Sequence, residues 1–358
     1  MSLRMGFEEL KIVHLSDLHF TGRPVSEFSS RFWRYFNLES ISLANFEILL
    51  KDVIACDPHH IVITGDITNT AHPDEFRRAR DWLLQLQQLW QPIRAPVGTE
   101  HLLSDLFTIV PGNHDVARRP GVFSRLFASR AAQTSRLRHF MEAFGSTLGV
   151  DSPDNIIDYA GVFPGRKLLY DVVQLFTVNS TLDVPVHAVG INSVGEVGET
   201  QRIRLAQALD DTRQGTYRIV LCHHHPLTIP YKPDAFDSLL VMRDARQLLR
   251  VCFRHQVHLV LHGHKHVPFI WRSVVIPELD PPHSLAVVSA GSATMAVRGS
   301  SQVYNRYIVV RRDFGGRQTV ESVKVQARRF VPQEQCFVDA GPPVLLYQAL
   351  PQGDLPHN

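Results

Sequence analysis

Cysteine is scarce in this 358-residue chain: Cys56, Cys222, Cys252 and Cys336 are scattered, with no CxxC pair. That scattering excludes a disulfide framework and is the pattern of reduced thiols in an intracellular protein. Net charge is nearly absent too. Against 37 Lys and Arg stand 35 Asp and Glu, leaving +2, so no whole-molecule field draws the protein to nucleic acid or an anionic membrane. Long apolar runs are missing as well; stretches such as 61–63 and 259–261 fall far short of the roughly 18 residues of a membrane span. The opening MSLRMGFEEL lacks the charged and then long apolar regions of an export signal. A soluble, cytoplasmic protein is expected, in which electrostatic recognition is local.

What the chain does have is 44% hydrophobic residues, enough to build a large core. Short β-branched runs recur, each ending in Gly, Asp, Asn or His: KIVHLSD (11–17), HIVITGD (60–66), LFTIVPGNHD (106–115), YRIVLCHHH (217–225) and VHLVLHGH (257–264). Continuous apolar character fits strands buried on both faces. Between them lie helical stretches with apolar residues three and four apart, first Phe46, Leu49, Leu50 and Val53, then Trp82, Leu83, Leu86 and Leu89. This alternation predicts an α/β sandwich with sheets at its centre. From about residue 285 the pattern turns to strands alone, and a second, antiparallel sheet is expected there. No repeat or linker divides the chain, so residues 1–330 read as one domain with a helical insertion at about 120–145. The Pro- and Gln-rich tail, 331–358, is expected to be poorly ordered.

The polar residues where chain leaves strand are Asp17 and His19, Asp66, Asn113 and His114, then His223, His224 and His225, and finally His262, His264 and His266. In an open α/β sheet the crevice at the carboxyl ends of strands is where ligands bind, so distant residues can converge there. Carboxylates, an amide oxygen and imidazoles form a mixed oxygen and nitrogen set that suits Mn, Fe, Zn or Co better than Ca or Mg. Two such cations about 3.5–4 Å apart clamp the attacking and leaving oxygens of an in-line displacement.

The ordered blocks DLH (17–19), GD (65–66), GNHD (112–115), HHP (224–226) and GHKH (263–266) resemble the signature of the calcineurin-like metallophosphoesterases over roughly residues 10–310. The resemblance implies a four-layer α/β/β/α sandwich of two mixed β-sheets flanked by helices. It implies a dinuclear centre, Mn or Fe favoured, with Asp17, His19 and His266 on one metal and Asn113, His224 and His264 on the other. Asp66 bridges them, and the nucleophile is a metal-held water or hydroxide. The register of the HHHP run leaves His223 as the alternative to His224. His114 is implied to lie just outside the metals and to protonate the leaving oxygen, within the reach of an imidazole near neutral pH. GEVGETQRIRLAQAL (195–209) and GSATMAVRGS (291–300) resemble later family segments that support the fold.

Serine/threonine protein phosphatases of this superfamily carry Asp and Arg after their GD, where this chain has Asn69 and Thr70 in GDITNT, so that activity is disfavoured. The resemblance points instead to small phosphodiesters, cyclic nucleotides or related molecules. Alternatives are a phosphomonoesterase or a lipid-linked pyrophosphate hydrolase, the latter motivated by RFWRYFNLES (31–40), whose aromatic and basic residues would permit transient membrane contact. The plain alternative is aromatics packed on the domain. A nuclease is disfavoured by the even charge, and a metal-free scaffold by the complete ligand set. Eight histidines away from these blocks (His14, His59, His60, His72, His101, His139, His255, His258) read as hydrogen-bonded or solvated. Asp115 reads as a brace of its own loop.

Overall fold

The computed structural model describes residues 9–21, 43–94, 102–116, 130–148, 162–181, 194–230, 241–274, 284–295, 301–314 and 317–349. The aromatic-basic segment 31–40 lies outside them.

The first sheet is built on β1 (Glu9–Leu15), which pairs in parallel with β2 (His60–Ile63), itself parallel to β3 (Phe107–Ile109). The second runs in parallel through β5 (Val173–Thr177), β6 (Tyr217–Leu221), β7 (Leu259–His262) and β9 (Leu285–Ala290). Antiparallel strands β4 (Gly165–Leu169) and β8 (Pro268–Val274) close its two edges. The second sheet is therefore mixed.

Side chains alternate across each strand, and this alternation creates three apolar layers. Between the sheets, Leu10, Ile12 and Val62 meet Leu175, Ile219, Leu221, Leu259 and Val288. On the outer face of the first sheet, Val13, Leu15, Ile61 and Ile63 pack with helical residues. These come from α1 (Leu43–Ala55), α2 (Pro73–Arg94) and α3 (Arg130–Phe144), the last within the expected insertion. On the outer face of the second, Val220 and Val260 pack with α4 (Glu199–Asp210) and α5 (Ala245–Arg254). The result is the α/β/β/α sandwich.

Three expectations are corrected. The late strands do not form a sheet of their own. β10 (Val303–Phe314) pairs antiparallel with β1, and β11 (Arg317–Val331) pairs with β10, so they complete the first sheet, while β9 joins the second. Within the tail, residues 331–349 are structured, since β12 (Cys336–Asp339) and β13 (Val344–Gln348) both pair with β11; residues 350–358 lie outside the described ones. Phe337 buries against Tyr304 and Phe330, and Arg328 ties Asp339 to the sheet at 2.9 Å; Pro and Gln content hid these contacts. In α2, Leu89 is 45% exposed and Trp90 completes the buried stripe, donating its indole N–H to the Pro58 carbonyl at 2.7 Å.

Candidate metal centre

The carboxyl ends of both sheets deliver their polar residues to one place, largely by the same local device. Asp17, His223 and His264 each stand two residues past a strand's last residue, Leu15, Leu221 and His262. Asp17, His19, Asp66, His264 and His266 all hold positive φ, between 48° and 79°. Non-glycine residues rarely adopt this left-handed conformation, and such strain concentrates at functional sites.

Two clusters result. In the first, His19 Nε2 and His266 Nε2 lie 3.1 Å apart; Asp17 Oδ1 is 3.3 Å from the latter and 4.0 Å from the former. In the second, His223 Nε2 stands 3.0 Å from Asn113 Oδ1. His264 Nδ1 is 3.1 Å from the same oxygen and 3.3 Å from His223 Nε2. Asp66 faces both, its Oδ2 lying 3.3 Å from His223 Nε2 and 4.0 Å from His19 Nε2. The other oxygen, Oδ1, accepts the backbone N–H of His114 at 2.7 Å.

These donors fit a pair of transition-metal cations. His223 donates Nδ1–H to the Thr64 carbonyl at 2.7 Å, so the neutral ring turns a lone pair toward Asn113 Oδ1 and Asp66 Oδ2, both acceptors. Acceptors converging in a buried space need a positive charge between them. Burial alone would lower the His223 pKa, yet Asp66, with Asp17 behind it, pushes it up to about 9. A proton there does what a cation would do. Burial would raise the Asp66 carboxyl, and the imidazoles of His223, His114 and His19 instead hold it well below its usual range. His264 is held well below its ordinary value by burial and by His224, His223 and His225.

The HHHP run brings two of its histidines to this cluster. His223 faces Asp66 and Asn113, and His223, His224 and His264 form a group whose candidate ligand nitrogens all lie within 4.8 Å of one another. The His224 ring packs 4.6 Å from that of His264; its Nδ1 pairs with Ser180 Oγ at 2.8 Å, and its buried Nε2 has no hydrogen-bond partner. Counting back from Pro226 selects His224, whereas counting forward from the end of β6 selects His223. His114 sits beside the first cluster, its ring edge-on to His19 at 4.8 Å, with Nδ1–H donated to the Asn69 carbonyl at 2.8 Å. His262 bonds instead to the Gly263 carbonyl at 3.0 Å.

Of the eight histidines read as hydrogen-bonded or solvated, seven are described, and each has a partner. His14 pairs with Thr64, His60 with Thr108, His139 with Glu142 and His255 with Asp210. His59, His72 and His258 accept backbone N–H groups. His101 lies outside the described residues. Asp115 reaches beyond its own loop: its carboxylate accepts from Gly112, Ile67 and Thr68, clamping the Asn113 turn onto the loop that carries Asp66.

The sequence matches the family model described as calcineurin-like phosphoesterase over residues 10–268. No curated protein matches it. Among solved structures, that of PhoD is similar over 97% of this chain and 73% of its own, with 9% identity and a TM-score of 0.50. The calcineurin-like phosphoesterase YfkN from Bacillus subtilis is similar over 89% of this chain and 90% of its own, with 12% identity and a TM-score of 0.43. At 9% identity the likeness to PhoD is one of fold.

Proposed function

Because the chain belongs to the calcineurin-like phosphoesterases, matched from residue 10 to 268, we propose that it is a two-cation hydrolase of small phosphodiesters. The observation that carries this reading is Asp66, whose one carboxylate faces a ligand nitrogen of each cluster. Asp17, His19 and His266 would hold one cation, and Asn113, His223 and His264 the other, with Asp66 shared between them. Mixed oxygen and imidazole donors favour Mn or Fe in these places. Cations so held would polarise a phosphoryl oxygen and lower the pKa of a water.

The chain's own residues supply the rest. Asn69 fixes the His114 ring by accepting from Nδ1, which makes Nε2 the atom that hands a proton to the leaving oxygen. His114 is tethered through its backbone to Asp66, so the proton donor and the shared carboxylate move together. A neutral backbone carbonyl orients His114 where the protein phosphatases use a carboxylate side chain, and this supports small diesters as substrates. The four cysteines, all free, accord with a reducing cytoplasm.

Hydrolysis of bis-p-nitrophenyl phosphate and p-nitrophenyl phosphate by Mn-reconstituted protein tests the reading. The diester should turn over faster, and His114→Ala should lower turnover by about 10²–10⁴-fold with cation content unchanged. Turnover of the monoester alone would refute the diester preference.

A further inference from the structure

The block GSAT (291–294) follows β9 at the carboxyl end of the second sheet, outside the ligand sets, yet it reaches into the first. Ser292 Oγ donates to the Asp17 carbonyl at 2.7 Å. Thr294 Oγ1 donates to the Leu18 carbonyl at 2.8 Å, with Asp17 O at 3.3 Å. The direction of the serine proton is fixed, because Ser292 Oγ already accepts the Met295 N–H at 3.0 Å. Ala293 N–H adds a bond to the Ser16 carbonyl at 3.2 Å. Ser292, Thr294, Asp17 and Leu18 are all fully buried.

These bonds meet a turn that needs holding. Asp17 and His19 stand at φ 54° and 48°, and strain of this kind persists only where its surroundings over-determine it. The N–H side of the turn is held within its own sheet, by Asp17 N to Gly65 O at 3.0 Å and His19 N to Asp66 O at 2.9 Å. The carbonyl side is held from the second sheet by the two hydroxyls. The same sheet supplies His266, the ligand that faces His19 and Asp17.

We propose that Ser292 and Thr294 are positioning residues for the cation bound by Asp17, His19 and His266, acting by fixing the strained Asp17–His19 turn in register with the second sheet. This rests on the two-cation reading above. Neither hydroxyl touches substrate or a ligand atom, and the backbone between Asp17 and His19 carries the effect. The second cation's ligands Asn113, His223 and His264 belong to other loops, joined to this turn through the His264 N–H on the Asp17 carboxylate at 3.1 Å, so the effect falls mainly on the first cation.

A titration of metal-free protein with cobalt(II), followed by visible absorption against a competing chelator, separates the outcomes. Wild type should bind two equivalents. Ser292→Ala and Thr294→Val should each weaken one equivalent by about 10–100-fold, the usual effect of removing a partner behind a metal ligand, and weaken the other by clearly less. Thr294→Ser, which keeps the hydroxyl, should restore the lost affinity. Folded variants that bind both equivalents as wild type does would overturn the proposal, and so would an equal loss of both that Thr294→Ser does not reverse. If Thr294→Val fails to fold, Ser292→Ala carries the test, since it only removes an atom. Wild type that binds no cobalt would instead overturn the two-cation reading itself.

Discussion

Replacing His223 and His224 one at a time by alanine separates two neighbouring imidazoles with different work. His223 Nε2 lies within 3.3 Å of Asn113 Oδ1, His264 Nδ1 and Asp66 Oδ2, so its removal takes away a ligand and leaves three. Loss of a partner that only orients a metal ligand costs about 10–100-fold in affinity. Loss of the ligand itself should exceed that range, beyond about 2.7 kcal/mol. His224→Ala removes a fully buried ring and leaves Ser180 Oγ without its 2.8 Å imidazole partner. Its cost should fall on folding, about 1–3 kcal/mol, with cation affinity changed less than about tenfold. Cobalt titration of both variants, beside urea unfolding of the metal-free proteins, reads the two quantities separately. If His224→Ala abolished one equivalent while His223→Ala kept both, the placement of His223 at the cation would be wrong.

Three further outcomes follow from the same geometry. A Cβ on Gly112 would lie 2.2 Å from Asp66 Oδ1 and 2.3 Å from its backbone nitrogen; Gly112→Ala should therefore lower cation stoichiometry and cost about 1–3 kcal/mol of stability, read by metal analysis and urea unfolding. Asp115→Ala should leave the buried N–H groups of Gly112, Ile67 and Thr68 unpaired and cost several kcal/mol, about 1–3 for each, with diester turnover falling alongside. His14 is pushed down to about 3 by burial and by His262. Below its unfolded value of 6.5 the unfolded chain binds a proton that the folded one refuses, so stability falls from there to about pH 3. At pH 4.5 the two-unit gap amounts to about 2.7 kcal/mol, and metal-free His14→Gln should show a correspondingly smaller loss between pH 7 and 4.5 in urea unfolding.

The strands and their polar ends were legible because buried strands read as unbroken β-branched runs and the chain turns sharply after each. The helical stripes of α1 and α2 were legible through their spacing, apart from the exchange of Leu89 for Trp90, where neighbouring positions straddle the buried edge. Sheet membership was not, since pairing depends on contacts between distant segments: nothing local in 303–331 says that it flanks β1. The strands within 331–349 were missed because composition reports chain flexibility and says nothing of an edge such as that of β11, which offers pairing. The choice between His223 and His224 was obscured by three identical residues in a row, where only the end of β6 distinguishes their directions. The hydroxyls of Ser292 and Thr294 carry no motif chemistry and gain meaning only from the two carbonyls they meet.

The most direct test of the account is the metal content of Asp66→Asn after Mn reconstitution, measured by elemental analysis beside wild type. The asparagine keeps the shape and one neutral oxygen but cannot be shared as a charge between two cations. Two equivalents in wild type and one or fewer in the variant, with diester hydrolysis lost, is the predicted result. Two equivalents in both, with hydrolysis intact, would contradict the shared carboxylate and the two-cation site built upon it.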